Sequence, residues 1–520
     1  MGGVLSQLVP EIVLLIGACI CMVMGLAREV EVRKLTVHVA GASLFLAAVM
    51  VFFKPGMMLE FASWEMDSYI KLAVCGMGLL LLIFASGIPE KLPTLSQIES
   101  GEKPFDPALA IRGEFFAFFL FSLCGVMLCA GAHDLVWLFL ALELTSLPTY
   151  VMIAISRDRA DSAESAVKYF FLGALAAATF LYGFALIYGA TGSTEFAAIH
   201  AAAMKTGVTP LLMAGIALSI IGVSFKVAAV PMHFYTADVY QGATTPMSAF
   251  LAFVPKTAGF VALILLVNLI VGVQPGQVLP QPITWLIWVM AALTMTFGNV
   301  LGLLQNNVKR MLAYSSIAHS GYMMVGLLGI GAIGYNAEAI GNGAAGILFY
   351  LIAYGLANLA AFAVLACVER DGDEAQSFHD LAGLVRRRPG LATILLLATL
   401  SLIGLPPMVG FVGKIYLFGS ALSKGFSTLV VIAVVNSAIS AVYYLRLANV
   451  CFFGEPNEET TVTSSRLLPW TAGVSAVLAF GLFFGGNFLA NTAKEAGASV
   501  SLSSKTEAVV KSVDLPADQN

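Results

Sequence analysis

The chain has 520 residues, of which 59% are apolar and only 11% charged, with 27 Lys and Arg against 31 Asp and Glu. A soluble globular domain carries about 25% charged residues, so this composition excludes a string of water-facing domains and requires an integral membrane protein. A net charge of −4 gives no electrostatic reason for a nucleic-acid partner, and no basic run with interleaved aromatics occurs.

A helix needs about 20 apolar residues to cross a bilayer core about 30 Å thick. That template predicts an all-α membrane fold with about fourteen transmembrane helices, at 6–26, 35–53, 69–87, 113–132, 135–156, 162–190, 208–231, 243–272, 282–304, 309–333, 343–368, 390–422, 427–452 and 467–490. No Lys or Arg precedes the first run, so it reads as a membrane helix and not as a cleaved signal peptide. The runs are continuous and do not alternate, which excludes a β-barrel. Polar stretches are confined to 88–112, 369–389 and the tail after 491, leaving no room for a soluble catalytic domain. The chain divides into a three-helix region with its loop (1–112), two five-helix units (113–272 and 282–453), and a last span with the tail (454–520).

Cys19, Cys21, Cys75, Cys124, Cys129, Cys367 and Cys451 lie in or beside apolar runs without CxxC spacing, and read as small packing residues. Alternate loops collect sixteen Lys and Arg on one side, among them Arg33, Lys34, Lys309, Arg310, Arg386 and Arg446, and seven on the other, including Lys71, Lys205 and Lys424. The positive-inside rule then places both termini on the non-cytoplasmic side.

Four lysines remain within spans: Lys168, Lys226, Lys256 and Lys414. Glu143 interrupts the run 135–147 in the same way. An ionisable group at mid-membrane costs about 2.5–3.5 kcal/mol even on the lenient insertion scale, so such groups face a bundle interior or water and pair with one another. Lys168, close behind Asp161 and Glu164, is the one that could reach an interface. Pro231 follows Lys226, and Pro406 and Pro407 precede Lys414. A proline at that depth removes a backbone donor and breaks the helix, as in helices that line transporter ion sites. Pro231-Met232 and Pro407-Met408 stand 176 positions apart, and the same offset carries Glu143 onto His319. A repeated unit of five spans must be inverted, because five is odd. His233 and His319 titrate nearest neutrality and could bridge gaps between lysines. His38, His133, His200 and His379 are left unassigned.

The runs 134–150, 165–174, 225–234, 255–260, 309–320 and 405–414, which contain these residues in order, closely resemble the antiporter-like membrane subunits of respiratory complex I over nearly the whole chain. The resemblance implies two inverted five-helix repeats with two discontinuous helices. It also implies a proton path through Glu143, Lys226, Lys256 and Lys414, with Lys168 modulating Lys226 or Glu143. Protons would be driven by quinone reduction elsewhere in a proton-pumping NADH:quinone oxidoreductase. The subunit itself would bind no cofactor, FMN and iron–sulfur clusters belonging to partner subunits; a P-loop and cluster-ligand cysteine spacing are absent. Partners would be other membrane and peripheral subunits of complex I, including neighbouring antiporter-like subunits, in the lipid bilayer of a bacterial-type inner membrane. Alternative readings are an Mrp-type cation/proton antiporter subunit, a related membrane-bound hydrogenase or dehydrogenase subunit, and a scaffold whose buried charges only pair helices. The short tail after the last span fits the members lacking a long C-terminal lateral helix, and Lys414 fits those without a Glu on the twelfth helix.

Overall fold

The computed structural model describes residues 7–27, 29–53, 64–87, 113–156, 160–273, 278–330, 341–370, 373–463 and 465–500. The polar stretch 88–112 and the tail beyond 500, with the basic residues assigned there, lie outside the described residues.

Helices α1 (Val9–Gly25), α2 (Val30–Phe52) and α3 (Met66–Ser86) form the N-terminal group. They are followed by α4 (Gly113–Ala130), α5 (Leu135–Ser156), α6 (Ala160–Thr191), α7 (Phe196–Thr206), α8 (Pro210–Val223), α9 (Thr236–Gly242) and α10 (Thr245–Asn268). Next come α11 (Gln281–Leu303), α12 (Val308–Leu327), α13 (Gly343–Ala366), α14 (Leu384–Arg387), α15 (Pro389–Ile403), α16 (Val409–Leu422) and α17 (Ser427–Phe453). Last are α18 (Leu467–Phe484) and α19 (Gly486–Ala498).

Ten of these, α2–α6, α10, α11, α13, α17 and α18, are long and apolar enough to cross a membrane. Helices α1, α8, α15 and α16 are apolar but shorter. The expected run 309–333 is helical as α12 up to Leu327, but Lys309, Arg310, His319 and five serines and tyrosines along it lower its hydropathy. Of the expected 208–231 only 210–223 is helical, as α8, with turns after it, and the expected 390–422 is divided into α15 and α16. The expected 467–490 ends at Phe484, and a polar helix, α19, follows it.

Several elements lie outside the expected spans, α9 and α14 among them. Helix α7 lies in what reads as a loop; it is tied down by Phe196 N donating to His133 O at 3.0 Å and by His200 Nδ1 lying 3.0 Å from Leu269 O. The all-α expectation also needs a small addition: β1 (Val368–Arg370) pairs antiparallel with β2 (Asp373–Glu374) and with β3 (Thr460–Val462), Glu369 standing opposite Glu374 and Thr461. All three strands are in polar connections.

Local signals set the helix ends. Thr209 caps α8 by accepting Leu212 N, and Asn307 and Asn342 cap α12 and α13 through Arg310 N and Ala345 N. Pro210 and Pro389 open α8 and α15 at the first position, where no backbone donor is needed. Gly404 closes α15 at φ 83°, a left-handed conformation suited to glycine.

The centre of the bundle is α10, α12 and α13. Every residue of α10 except Leu265, and every residue of α13 except Ile352, is buried. Helix α10 packs on α3, α4, α5, α8, α12 and α13, and α13 packs on α3, α12, α15, α16, α18 and α19. Outer helices carry exposed Phe45, Phe171, Tyr182, Trp285, Val435 and Trp470, the outward apolar surface that suits a lipid solvent. Six of the cysteines are buried, and all seven are free thiols.

Close helix approaches rest on small residues. A methyl at Gly343 would overlap the backbone carbonyl of Gly326, whereas one at Gly76 meets no heavy atom within 4 Å. Gly343→Ala is therefore expected to destabilise by about 1–3 kcal/mol, and Gly76→Ala not at all, read as the melting temperature of the purified protein.

Candidate functional site

The first helix break separates α8 from α9. Helix α8 ends at Val223, before Pro231, and residues 224–235 run through turns in which Ala228 has φ 56°. Backbone groups released there find partners: Tyr235 Oη donates to Phe225 O at 2.7 Å, and Val230 N donates to Thr294 Oγ1 at 2.9 Å. Lys226 lies in this segment. Its Nζ is 3.1 Å from Glu143 Oε1 and donates to Ser146 Oγ at 2.5 Å, both partners being on α5. The lysine side chain is 1% exposed and the glutamate 19%, so the pair is sealed on the lysine side. Rings of Phe180 and Phe225 stand 5.8 and 5.9 Å from Nζ.

The second break separates α15 from α16. Lys414, on α16, donates to the carbonyls of Leu402 and Ile403 at 3.2 and 2.7 Å and to Ser437 Oγ at 2.7 Å. Those carbonyls are the unsatisfied C-terminal acceptors of α15, where the helix dipole favours a cation. A Cβ at Gly404 would come 2.8 Å from Lys414 Cδ, so glycine also makes room for the lysine. The Tyr322 ring lies 4.7 Å from Nζ. The Val230–Pro231 and Pro406–Pro407 peptide bonds are cis.

Lys256 stands in the middle of α10 and has no carboxylate partner among the described residues. It donates to Ser316 O and, at 2.8 Å, to Ser320 Oγ, with the Tyr354 ring at 5.5 Å. Both serines are on α12, Ser316 one turn before His319 and Ser320 directly after it. His319 Nδ1 is 2.8 Å from Tyr350 Oη and its Nε2 is 3.2 Å from Tyr444 Oη. Tyr444 also shares a hydrogen bond with Ser315 Oγ. Helix α12 thus touches both lysines, Lys256 through Ser316 and Ser320 and Lys414 through the Tyr322 ring, with His319 between them.

Two of the expected auxiliary residues make no contact with the row. Lys168 is 43% exposed and pairs with Glu164 Oε1 at 2.7 Å and Asp238 Oδ2 at 3.1 Å, not with Glu143 or Lys226. Arg310 holds the other oxygen of Asp238 at 2.7 Å. His233 is buried in the first break with its ring parallel to Phe297, and its Nδ1 accepts no hydrogen bond from a described residue.

Sequence reading missed several polar residues. Ser146, Ser316, Ser320, Tyr350, Tyr444 and Ser437 carry no ionisable signature, and only the low hydropathy of α12 hints at them. Two lysines assigned to aqueous loops are buried. Lys309 is sealed, donating to Ala243 O at 2.6 Å and lying 3.2 Å from Glu374 Oε2. Lys71 belongs to a separate ion cluster. Both lie in the terminal turn or two of a helix, where a count by loops treats them as solvated.

Fold and site define a class: a multi-pass membrane protein with two interrupted helices and a row of buried ammonium and imidazole groups across its centre. A family model described as NADH:quinone oxidoreductase/Mrp antiporter, TM, matches residues 132–440, a range that takes in the whole row. The chain belongs to this family. It is 43% identical over 352 residues to the NADH-quinone oxidoreductase subunit N of Trichlorobacter lovleyi, covering 67% of this chain and 69% of that one. Among solved structures, a chain of respiratory complex I from Thermus thermophilus with bound aureothin superposes with a TM-score of 0.74 at 31% identity, over 93% of this chain and 98% of that one. A chain of the Mrp complex from Dietzia superposes with a TM-score of 0.77 over 97% and 99%, but at 20% identity this likeness concerns the fold alone.

Removing one member of a buried ion pair costs about 3–5 kcal/mol, because the other charge stays behind. Glu143→Ala is expected to lose that much stability, and Lys226→Met on top of it to recover most of the loss. A thermal-melting double-mutant cycle reads the coupling, and additive losses would show that the two side chains do not act as a pair.

Proposed function

We propose that this chain moves protons across the membrane within a proton-pumping NADH:quinone oxidoreductase, along Glu143, Lys226, Lys256, His319 and Lys414. The observation that carries the reading is the row itself: three lysines and a histidine, each at most 5% exposed, on α10, α12, α16 and the α8–α9 break. Each lysine costs about 2.5–3.5 kcal/mol to place at mid-membrane, a cost that pairing helices alone does not require.

Glu143 stabilises the charged form of Lys226, and separating the pair leaves an ammonium in a low-dielectric site that releases its proton readily. Hydroxyls of Ser146, Ser320, Tyr444 and Ser437 supply donors and acceptors between the ionisable groups. Lys168 and His233 serve as auxiliaries, Lys168 through Asp238. Moving each charge against 100 mV requires about 2.3 kcal/mol. On this reading that energy comes from quinone reduction in partner subunits, which also hold the FMN and iron–sulfur clusters. The units 113–272 and 282–453 act as two inverted halves, and both termini face the non-cytoplasmic side of a bacterial inner membrane.

An Mrp-type antiporter subunit is the competing reading, since the fold is common to both. Purification in mild detergent separates them: co-elution with flavin and iron–sulfur subunits is expected, and cation/proton exchange by the chain without them would overturn the assignment. In the assembled complex, Lys226→Ala and Glu143→Ala are expected to lower proton pumping several-fold while the complex still forms. Unchanged pumping in Lys414→Ala would refute the part given to that lysine, and loss of assembly in all three variants would favour a scaffold.

A further inference from the structure

A second set of buried charges lies in the N-terminal helices, before the stretch that defines the family. Lys71 Nζ, on α3, stands 2.8 Å from Glu11 Oε1 on α1 and 2.9 Å from Asp67 Oδ2 one turn back on α3, and donates to Gln7 O at 3.0 Å. The side chains of Lys71, Glu11 and Asp67 are 4%, 2% and 18% exposed. With both acids ionised, two carboxylates face one ammonium, and the cluster carries one uncompensated negative charge.

The oxygens turned away from the lysine are not satisfied. Glu11 Oε2 and Asp67 Oδ1 are buried and accept no hydrogen bond from a described residue. A buried carboxylate with an idle oxygen beside a second carboxylate is costly, and one added proton removes the excess charge and makes an O–H donor. Gly131, at the end of α4, leaves space there: a Cβ at that position would sit 3.3 Å from Asp67 Oδ1. Among the described residues, the other titratable groups facing the cluster are the buried thiols of Cys75 on α3 and Cys124 on α4, the latter donating to Glu11 O at 3.7 Å. Neither supplies a countercharge.

We infer that Glu11, Asp67 and Lys71 form a second proton-binding site, in which the two carboxyls hold one exchangeable proton that reaches them past Asp67, the most exposed of the three. The site also lies beside the central helices, because Tyr69 on α3 donates to Leu348 O of α13 at 3.3 Å, two residues from Tyr350, the partner of His319. This inference does not depend on the row from Glu143 to Lys414 carrying protons.

The test measures proton binding, not pumping. Infrared difference spectra between acid and neutral pH are recorded on the purified assembled complex, for the unmodified protein, Glu11→Gln and Asp67→Asn. Glu11→Gln keeps an oxygen for Lys71 and the side-chain shape; Asp67→Asn removes the other carboxyl independently. NADH:quinone electron transfer checks that each complex is assembled. Loss of one titrating carboxylic-acid stretch in either variant is the expected result. Spectra superimposable on the unmodified protein in both would overturn the site and leave a permanently ionised structural triad. A variant that fails to assemble leaves the decision to the other.

Discussion

The structure depends on one constraint: an ammonium or carboxylate in the hydrocarbon layer must be surrounded by protein. A charge facing lipid has neither water nor hydrogen-bond partners, and its cost is a large part of what a small helix bundle can supply. The bundle therefore places α10, α12 and α13 where almost no residue is exposed and rings them with α3–α5, α8, α9, α11 and α15–α18. The outer helices expose their phenylalanines and tryptophans, since lipid tails leave no reason to bury them. Close packing at the centre then requires small residues, which is why Gly343 and Gly329 meet backbone to backbone.

Within that centre the three lysines are stabilised in different ways. Lys226 has a carboxylate, Glu143, on another helix, so its charge depends on an interaction that a relative movement of α5 and the α8–α9 break would alter. Lys414 has the carbonyl end of α15, which belongs to the same broken helix and cannot move far from it. Lys256 has a serine hydroxyl and a backbone carbonyl and no countercharge among the described residues. A row of identical side chains is thus not a row of identical proton affinities. Only the Lys226 end carries a partner whose departure changes the charge balance outright. For the transport reading, this makes the Glu143–Lys226 contact the place where movement couples to charge.

Much of the architecture was legible because membrane helices are written in composition: a run of about 20 apolar residues has few alternatives at that length. The breaks were legible from Pro231, Pro406 and Pro407, although α8 stops at Val223, because turn bonds at Phe225 and Ala228 take over before the proline is reached. The burial of Lys226, Lys256 and Lys414 followed from their apolar flanks. Lys71 and Lys309 were misplaced because burial at a helix end is decided by partners far away in sequence, Glu11 and Glu374, which no local window contains. Helix α7 and the β1–β3 sheet were hidden for the same reason, since their hydrogen bonds close between distant connections. Lys168 reads as a span residue by position, yet Asp238 and Glu164 draw it to the exposed side.

The 176-residue offset has a further consequence once the side chains are placed. It carries Pro231 onto Pro407 and Glu143 onto His319, but Lys226 onto Leu402 and Asp238 onto Lys414. Corresponding positions near the two breaks therefore hold different chemistry. At the first, the lysine is in the break and an acid is on the short helix beyond it; at the second, a leucine carbonyl is in place of the lysine, and the lysine is in place of the acid. Lys414 reaches back to that very carbonyl, Leu402 O, so the broken helix is closed on itself by a cation. Lys226 reaches across to α5, so its broken helix is tied to a neighbour. The two interruptions thus give one cation held mainly by its own broken helix, with Ser437 of α17 beside it, and one ion pair between helices, a difference that follows from which side chains stand at two pairs of positions.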